Sequence, residues 1–259
     1  MSDVTNFFDF KGKVVLVTGS GKGIGHGIAM AFASAGATLA LHYHLSKFDA
    51  EETAACIRKA GHVAQTFHAN IKEEKEVECL FQEVEQNLGG PDVLINNAGL
   101  APQTEFISMP TEQWDQVVNV NLRSVFLTSR VAARHMLSQI RLGVIINIGS
   151  IEGDFPAFGH AHYSASKAGV LMLTQSCALE LGPSGIRVNS VSPGLIERDG
   201  IQQDWPEGIA RWMKAATIKR LGTTQDVANA CLFLASQAAS WITGANLVVD
   251  GGVSCRPAF

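Results

Sequence analysis

Short apolar runs rich in β-branched residues recur along the chain, each followed by a longer segment whose apolar positions have helical spacing. The runs Val14–Val17, Thr38–Leu41, Val63–Phe67, Val93–Ile95, Val144–Ile148, Arg187–Val191 and Asn246–Val249 predict strands. Between them, Ile28–Ala35, Ala50–Ala60, Lys72–Leu88, Glu112–Ser138, Ser164–Leu181 and Thr224–Ser236 predict helices. Strand alternating with helix predicts an α/β fold, a doubly wound and mostly parallel seven-stranded sheet with helices on both faces. Strands covered on both faces should read as near-continuous apolar runs, and these do. No repeat, low-complexity stretch or linker divides the chain, so residues 1–259 are expected to form one domain.

Composition narrows the function classes. The chain has 259 residues, 46% of them hydrophobic, and a formal charge of −4, which allows a large core. Mild acidity without a Lys/Arg block gives no general attraction to nucleic acid or to an anionic membrane. Residues 1–13 lack the basic-then-apolar pattern of a signal peptide, and no apolar run reaches about 18 residues. The five cysteines are scattered and without C-x-x-C spacing, which predicts reduced thiols in a cytoplasmic protein and no metal site.

Two stretches carry candidate chemistry. The first predicted strand runs into Thr18-Gly19-Ser20-Gly21-Lys22-Gly23-Ile24-Gly25, with a helix-like segment following at once. Glycines at 19, 23 and 25 permit a tight turn and close backbone approach to a phosphate, and the helix start offers free N–H groups. In the second, Ser150 ends a predicted strand, and Tyr163 and Lys167 sit four residues apart in a helix-like segment. That spacing puts phenol and ammonium on one face, about 5–6 Å apart at Cβ. A lysine there stabilises phenolate and is expected to lower the tyrosine pKa from about 10.

These motifs, with others in the same order, resemble the short-chain dehydrogenase/reductase family. The T-G-x-x-x-G-x-G turn is followed by Asn96-Asn97-Ala98-Gly99, by Asn121 within VNVNLRSVF, by Ser150 and Tyr163-x-x-x-Lys167, by Pro193-Gly194, and by Thr243-Gly244 with Asp250-Gly251-Gly252. The similarity covers residues 11–252 and implies a single Rossmann-type domain that binds a nicotinamide dinucleotide. It implies Asn121, Ser150, Tyr163 and Lys167 as the catalytic set. Tyr163 would pass a proton to or from the substrate oxygen, and Ser150 would anchor that oxygen. Lys167 would hold the nicotinamide ribose. Asn121, in a kinked helix, would hold a water linking Lys167 to solvent. Cofactor contacts are implied at Gly19, Lys22, Gly23, Ile24, Gly25, His44, Asn70, Ile71, Asn97, Ala98, Gly99, Tyr163, Lys167, Pro193, Gly194 and Ile196.

The end of the second strand bears on cofactor choice. An acid there would bind the ribose hydroxyls and repel a 2′-phosphate, but the chain reads His42-Tyr43-His44. Lys22 and His44 align with positions where NADP-using relatives carry basic residues, so NADP(H) is favoured, with NAD(H) open. His42 and His44 alternate onto one strand face, yet no carboxylate or thiol nearby completes a metal site. After the third strand Asn70 replaces the usual aspartate and would meet the adenine through its side-chain carbonyl.

The Pro193-Gly194 run has Arg198 where a threonine is usual, so Arg198 is either a cofactor or substrate contact or an exposed loop residue. His160 and His162 are expected to be surface or subunit-contact residues, with a second acid–base role the alternative. Residues 195–220 read as a substrate lid in which Trp205, Trp212 and Met213, with Leu100, Phe155 and Phe158, suggest a partly apolar pocket. No G-x-S-x-G elbow suggests a hydrolase. The expected activity is interconversion of a secondary alcohol and a ketone, on a 3-oxoacyl thioester or on a polyol or sugar. The competing expectation is a catalytically silent dinucleotide-binding sensor. Relatives are commonly tetramers, so a homotetramer or homodimer is expected, with a small-molecule alcohol or carbonyl as the substrate.

Overall fold

The computed structural model describes residues 7–140 and 142–255; residues 1–6, within the stretch read above for a leader, lie outside them. Seven strands form one sheet: β1 (Val14–Thr18), β2 (Thr38–Tyr43), β3 (Ala64–His68), β4 (Val93–Asn96), β5 (Gly143–Ile148), β6 (Ile186–Pro193) and β7 (Asn246–Val249). Every pairing is parallel, in the order β3-β2-β1-β4-β5-β6-β7. The sheet is thus the doubly wound Rossmann type, and all seven predicted strands are present.

Alternation along each strand sends its side chains into two cores. Val15, Val17, Leu39, Leu41, Val93 and Ile95 enter one, shared with α1 (Gly23–Ser34), α2 (Lys47–Lys59) and α9 (Thr224–Ala235). Val14, Leu16, Ala40, Leu94 and Ile145 enter the other, shared with α3 (Glu74–Leu88), α5 (Ser124–Ser138) and α6 (Ala161–Leu181). Phe32 on α1 and Phe81 on α3 are wholly buried on opposite faces. Truncating either to Ala would cost about 3–5 kcal/mol.

The predicted helix over 112–138 is divided. The structure has α4 (Thr111–Val118), then a π-helical turn at Asn119–Arg123, then α5. Such a turn absorbs an extra residue inside a helix, and apolar periodicity does not report it. Between β6 and α9 lie two helices that the apolar pattern does not predict, α7 (Ile201–Asp204) and α8 (Pro206–Ala215).

Strand order reverses between β1 and β4, because the chain moves outward through β2 and β3 and returns beside β1. The carboxyl ends of β1, β4, β5 and β6 therefore open onto one crevice, where the backbone leaves the sheet without a neighbouring crossover to fill the gap. The glycine turn, Asn97, Ser150 and Pro193-Gly194 all follow these strand ends.

Candidate active site

Ser150 leaves β5 in an extended conformation and caps a short helical turn at Ile151–Gly153, its Oγ accepting the N–H of Glu152 at 3.1 Å. Ser150 and Tyr163 line the same cavity. Tyr163 lies in the first turn of α6, where backbone N–H groups lack helical partners. Its own N–H is taken by His162 Nδ1 at 2.9 Å, which fixes the start of the helix. One turn on, Lys167 is buried and donates from Nζ to the Ile148 carbonyl at 2.7 Å. The ammonium stands 5.6 Å from the centre of the Tyr163 ring.

The electrostatics differ from the sequence expectation that Lys167 lowers the Tyr163 pKa. Burial raises it, the Ser150 hydrogen bond lowers it in part, and the Glu152 charge raises it further. Lys167 stands over the ring, and burial brings its own pKa down to about 8. With that value the lysine is still mostly protonated at neutral pH.

Asn121 stands at the break between α4 and α5. It is fully buried in the π-helical turn, its Oδ1 accepting the Leu100 N–H at 2.8 Å. Its Nδ2 donates to the Leu100 carbonyl at 2.8 Å and to Ser166 Oγ at 3.1 Å. Both amide hydrogens are spent. The side chain straps the loop after β4 to α6 and does not touch Lys167.

The turn after β1 is held from two sides. Asn97 Nδ2 donates to the carbonyls of Thr18 and Gly19, at 3.0 and 2.9 Å, while Thr18 Oγ1 accepts the N–H groups of Asn97 and Ala98. From β2, the His42 ring accepts the Gly19 N–H at Nδ1 (3.3 Å) and donates from Nε2 to the Ala69 carbonyl at 2.9 Å. Burial lowers its pKa to about 4, so the ring is neutral at physiological pH. The apolar pattern gave no sign of this bridge, since it depends on β2 and β3 being neighbours. The idea of a metal pair with His44 does not survive it: His42 has both nitrogens engaged, and exposed His44 lies against the His68 ring, 5.9 Å between centres.

The turn fits an anionic dinucleotide. Gly19 and Gly23 adopt positive φ of 62° and 53°. A Cβ on Gly25 would strike the Gly19 carbonyl oxygen and lie 2.5 Å from Asn97 Nδ2. No side chain caps α1 and no acidic residue occupies its first turn, so its leading N–H groups and positive dipole end face the crevice.

A cavity of about 200 Å³ brings much of the predicted set together: Ile24, Asn97, Gly99, Leu100, Ser150, Tyr163, Lys167, Pro193 and Gly194 line it, with Ala101, Ile148 and Gly149. Other predicted contacts lie apart from it. Asn70 accepts the Lys72 N–H through Oδ1 at 3.4 Å and gives its own N–H to Glu76; Ile71 beside it is buried. Lys22 is paired with Asp49 at 3.1 Å, although its side chain is 77% exposed. Ile196 bridges to Gly222 at the base of the 195–220 segment. Arg198 is exposed and pairs with Asp204 at 2.7 Å. Of the residues expected to make an apolar pocket, Leu100 lines the cavity, Trp212 packs on Gly194, and Phe158 is exposed.

Comparison with known proteins agrees with this geometry. A family model described as enoyl-(acyl carrier protein) reductase matches residues 19–254. The 3β-hydroxysteroid dehydrogenase 1 of Eggerthella lenta is 38% identical over 253 residues, 97% of each chain. A 3-oxoacyl-[acyl-carrier-protein] reductase of Staphylococcus aureus is 39% identical over 241 residues, covering 93% of this chain and 98% of that one. The crystal structure of a short-chain type dehydrogenase/reductase from Mycobacterium marinum superposes with a TM-score of 0.93 at 34% identity, covering 98% of this chain and 100% of the other. Among the described residues, no helix is long and apolar enough to cross a membrane.

Proposed function

Since the chain belongs to the short-chain dehydrogenase/reductase family and is an NAD(P)-dependent oxidoreductase, we propose that it interconverts a secondary alcohol and a ketone, with Tyr163 as acid or base. The observation that carries this reading is that Ser150, Tyr163 and Lys167 line one cavity with Ile24 and Pro193-Gly194. A reactive oxygen and a dinucleotide then share one space.

In the reductive direction Tyr163 gives its phenolic proton to the carbonyl oxygen; in the oxidative direction it takes that proton back. Ser150 donates to the same oxygen and steadies the developing alkoxide. Lys167, poised near its own pKa, holds the ribose hydroxyls and exchanges protons with Tyr163. Asn121 is a positioning residue that fixes Leu100 in the cavity wall. The N-terminus of α1, with Gly23, Ile24 and Gly25, holds the pyrophosphate. Bound nicotinamide supplies or accepts the hydride.

NADP(H) is the favoured cofactor. No acid follows β2, and Lys22 and His44 lie on exposed ground near that strand end. The Lys22–Asp49 pair involves an exposed lysine and is worth under about 1 kcal/mol, so a doubly charged phosphate can displace it. Residues 195–220, with α8 resting on Gly194 through Trp212, form the substrate lid of a single domain. Exposed Trp114, Phe126, Met172 and Leu179 on α4, α5 and α6 support assembly as a homotetramer or homodimer. The substrate is a small alcohol or carbonyl compound, 3-oxoacyl thioesters and polyols being the first classes to assay. Tyr163→Phe should abolish turnover while leaving dinucleotide binding in place; turnover at the original rate would refute the mechanism.

A further inference from the structure

His162, the residue before Tyr163, is wholly buried, against the expectation of a surface or subunit-contact residue. Its Nδ1 accepts the Tyr163 N–H at 2.9 Å, one of the leading N–H groups of α6 that have no partner within the helix. A ring nitrogen that accepts carries no proton, so the neutral imidazole has its proton on Nε2. Burial, which lowers the His162 pKa, favours the same neutral form.

The Nε2 side leads away from α6. The amide of Gln113, on α4, stands 3.5 Å from Nε2. An amide can turn over in place, and with its oxygen toward the imidazole it accepts the Nε2 proton. The same amide is bonded to Thr104 Oγ1, its two heteroatoms 2.8 and 3.0 Å away. Thr104 in turn gives its N–H to the Gly159 carbonyl at 2.8 Å, and Gln103 reaches the Phe158 carbonyl at 3.4 Å. The loop after β4 is thus tied to the loop before α6, three residues ahead of His162. Leu100 and Ala101, at the start of the first loop, line the cavity that holds Tyr163. Asn121 ties this loop to α6 at one end, through Leu100 and Ser166. His162 does so at the other.

We propose that His162 is a positioning residue that sets Tyr163 against the 100–104 wall of the cavity, through its imidazole, Gln113 and Thr104. This rests on the reading of Tyr163 as the acid–base residue. His162 is not among the residues lining the cavity, so it acts on the reaction only through where it puts the tyrosine. Misplacing a reacting group by about 1 Å can cost about 100-fold in rate. The loss should fall on kcat and leave cofactor affinity alone, because the glycine turn after β1 is supported by Asn97 and His42 instead.

His162→Asn keeps an acceptor near the Tyr163 N–H but is too short to reach Gln113, and His162→Phe fills the space with no acceptor at all. We expect kcat to fall by about 10-fold in the first and about 100-fold in the second, with the dissociation constant of the dinucleotide within about 2-fold of wild type. Gln113→Leu should match His162→Asn, and the double variant should be no slower than either, since both remove one shared link. Wild-type kcat in His162→Asn and Gln113→Leu would overturn the proposal, as would losses that multiply in the double variant or cofactor affinity that falls in step with kcat. The chain has two tyrosines, so 13C at tyrosine Cζ gives two signals that Tyr163→Phe assigns. The Tyr163 signal should be displaced in His162→Asn and in Gln113→Leu without substrate present. A displaced signal together with full turnover in Tyr163→Phe would keep the positioning role of His162 and refute the catalytic reading instead.

Discussion

The ammonium of Lys167 is anchored to the carbonyl of Ile148 at 2.7 Å, so the last residue of β5 and the second turn of α6 share one buried bond. The lysine has no second hydrogen bond to a described residue, and burial alone accounts for its lowered pKa. Lys167→Met keeps the length and apolar stem but removes both the proton and the proposed ribose contact. It should lower kcat/KM by about 100-fold or more, measured under saturating cofactor.

The same residue has a signature in stability. Its folded pKa, about 8, lies below the ordinary value of 10.5. Between those values the unfolded chain binds more protons than the folded one, so this contribution to stability rises with pH across that window. Urea midpoints of the wild type should show the rise. Those of Lys167→Met should lack it.

His42 predicts the acid side. Its folded pKa of about 4 lies below 6.5, so the unfolded state takes up the extra proton between these values. Its contribution is full above pH 6.5 and is lost as pH falls towards 4, on the order of 3 kcal/mol. His42→Asn should flatten the urea midpoint over that range. It should also weaken dinucleotide binding, since Gly19 and Ala69 lose their common support.

Gly25→Ala tests the cradle directly. The new methyl would press on the Gly19 carbonyl and the Asn97 amide, which together hold the turn. A folding cost of about 1–3 kcal/mol is expected. Cofactor affinity, followed by quenching of protein fluorescence, should fall by about 10-fold or more.

Lys22 and Asp49 together test cofactor choice. Lys22→Ala should raise KM for NADPH by about 10-fold with little change for NADH, because only the former carries the 2′-phosphate. Asp49→Asn frees the lysine and should lower KM for NADPH. Equal effects on both cofactors would exclude Lys22 as the phosphate contact.

The central strands were legible because they are buried on both faces, as β1 and β4 are throughout, and an unbroken apolar run such as Leu94-Ile95 has few other uses. The site was legible where chemistry fixes spacing, as in the glycine turn and the Tyr163–Lys167 pair. What sequence order hid were contacts between distant segments. His42 meets Ala69 only because β2 and β3 are neighbours, and Lys22 meets Asp49 only because α2 passes the turn. The direction of the Tyr163 pKa was hidden for the same reason. Spacing places a lysine beside the phenol but says nothing of the burial that raises the phenol's pKa.

The π-helical turn at Asn119–Arg123 also has a consequence for insertions and deletions. Successive residues of an α-helix are rotated by about 100°. Losing one residue here would let α4 and α5 fuse into a single regular helix, a change that is locally favourable. Because the turn absorbs one extra residue, the flanking halves would keep their phase, and what would be lost is the bulge that seats Asn121 against Leu100 and Ser166. In this segment a single-residue deletion therefore spares the packing of α4 and α5 and is felt instead at Asn121 and the loop it straps.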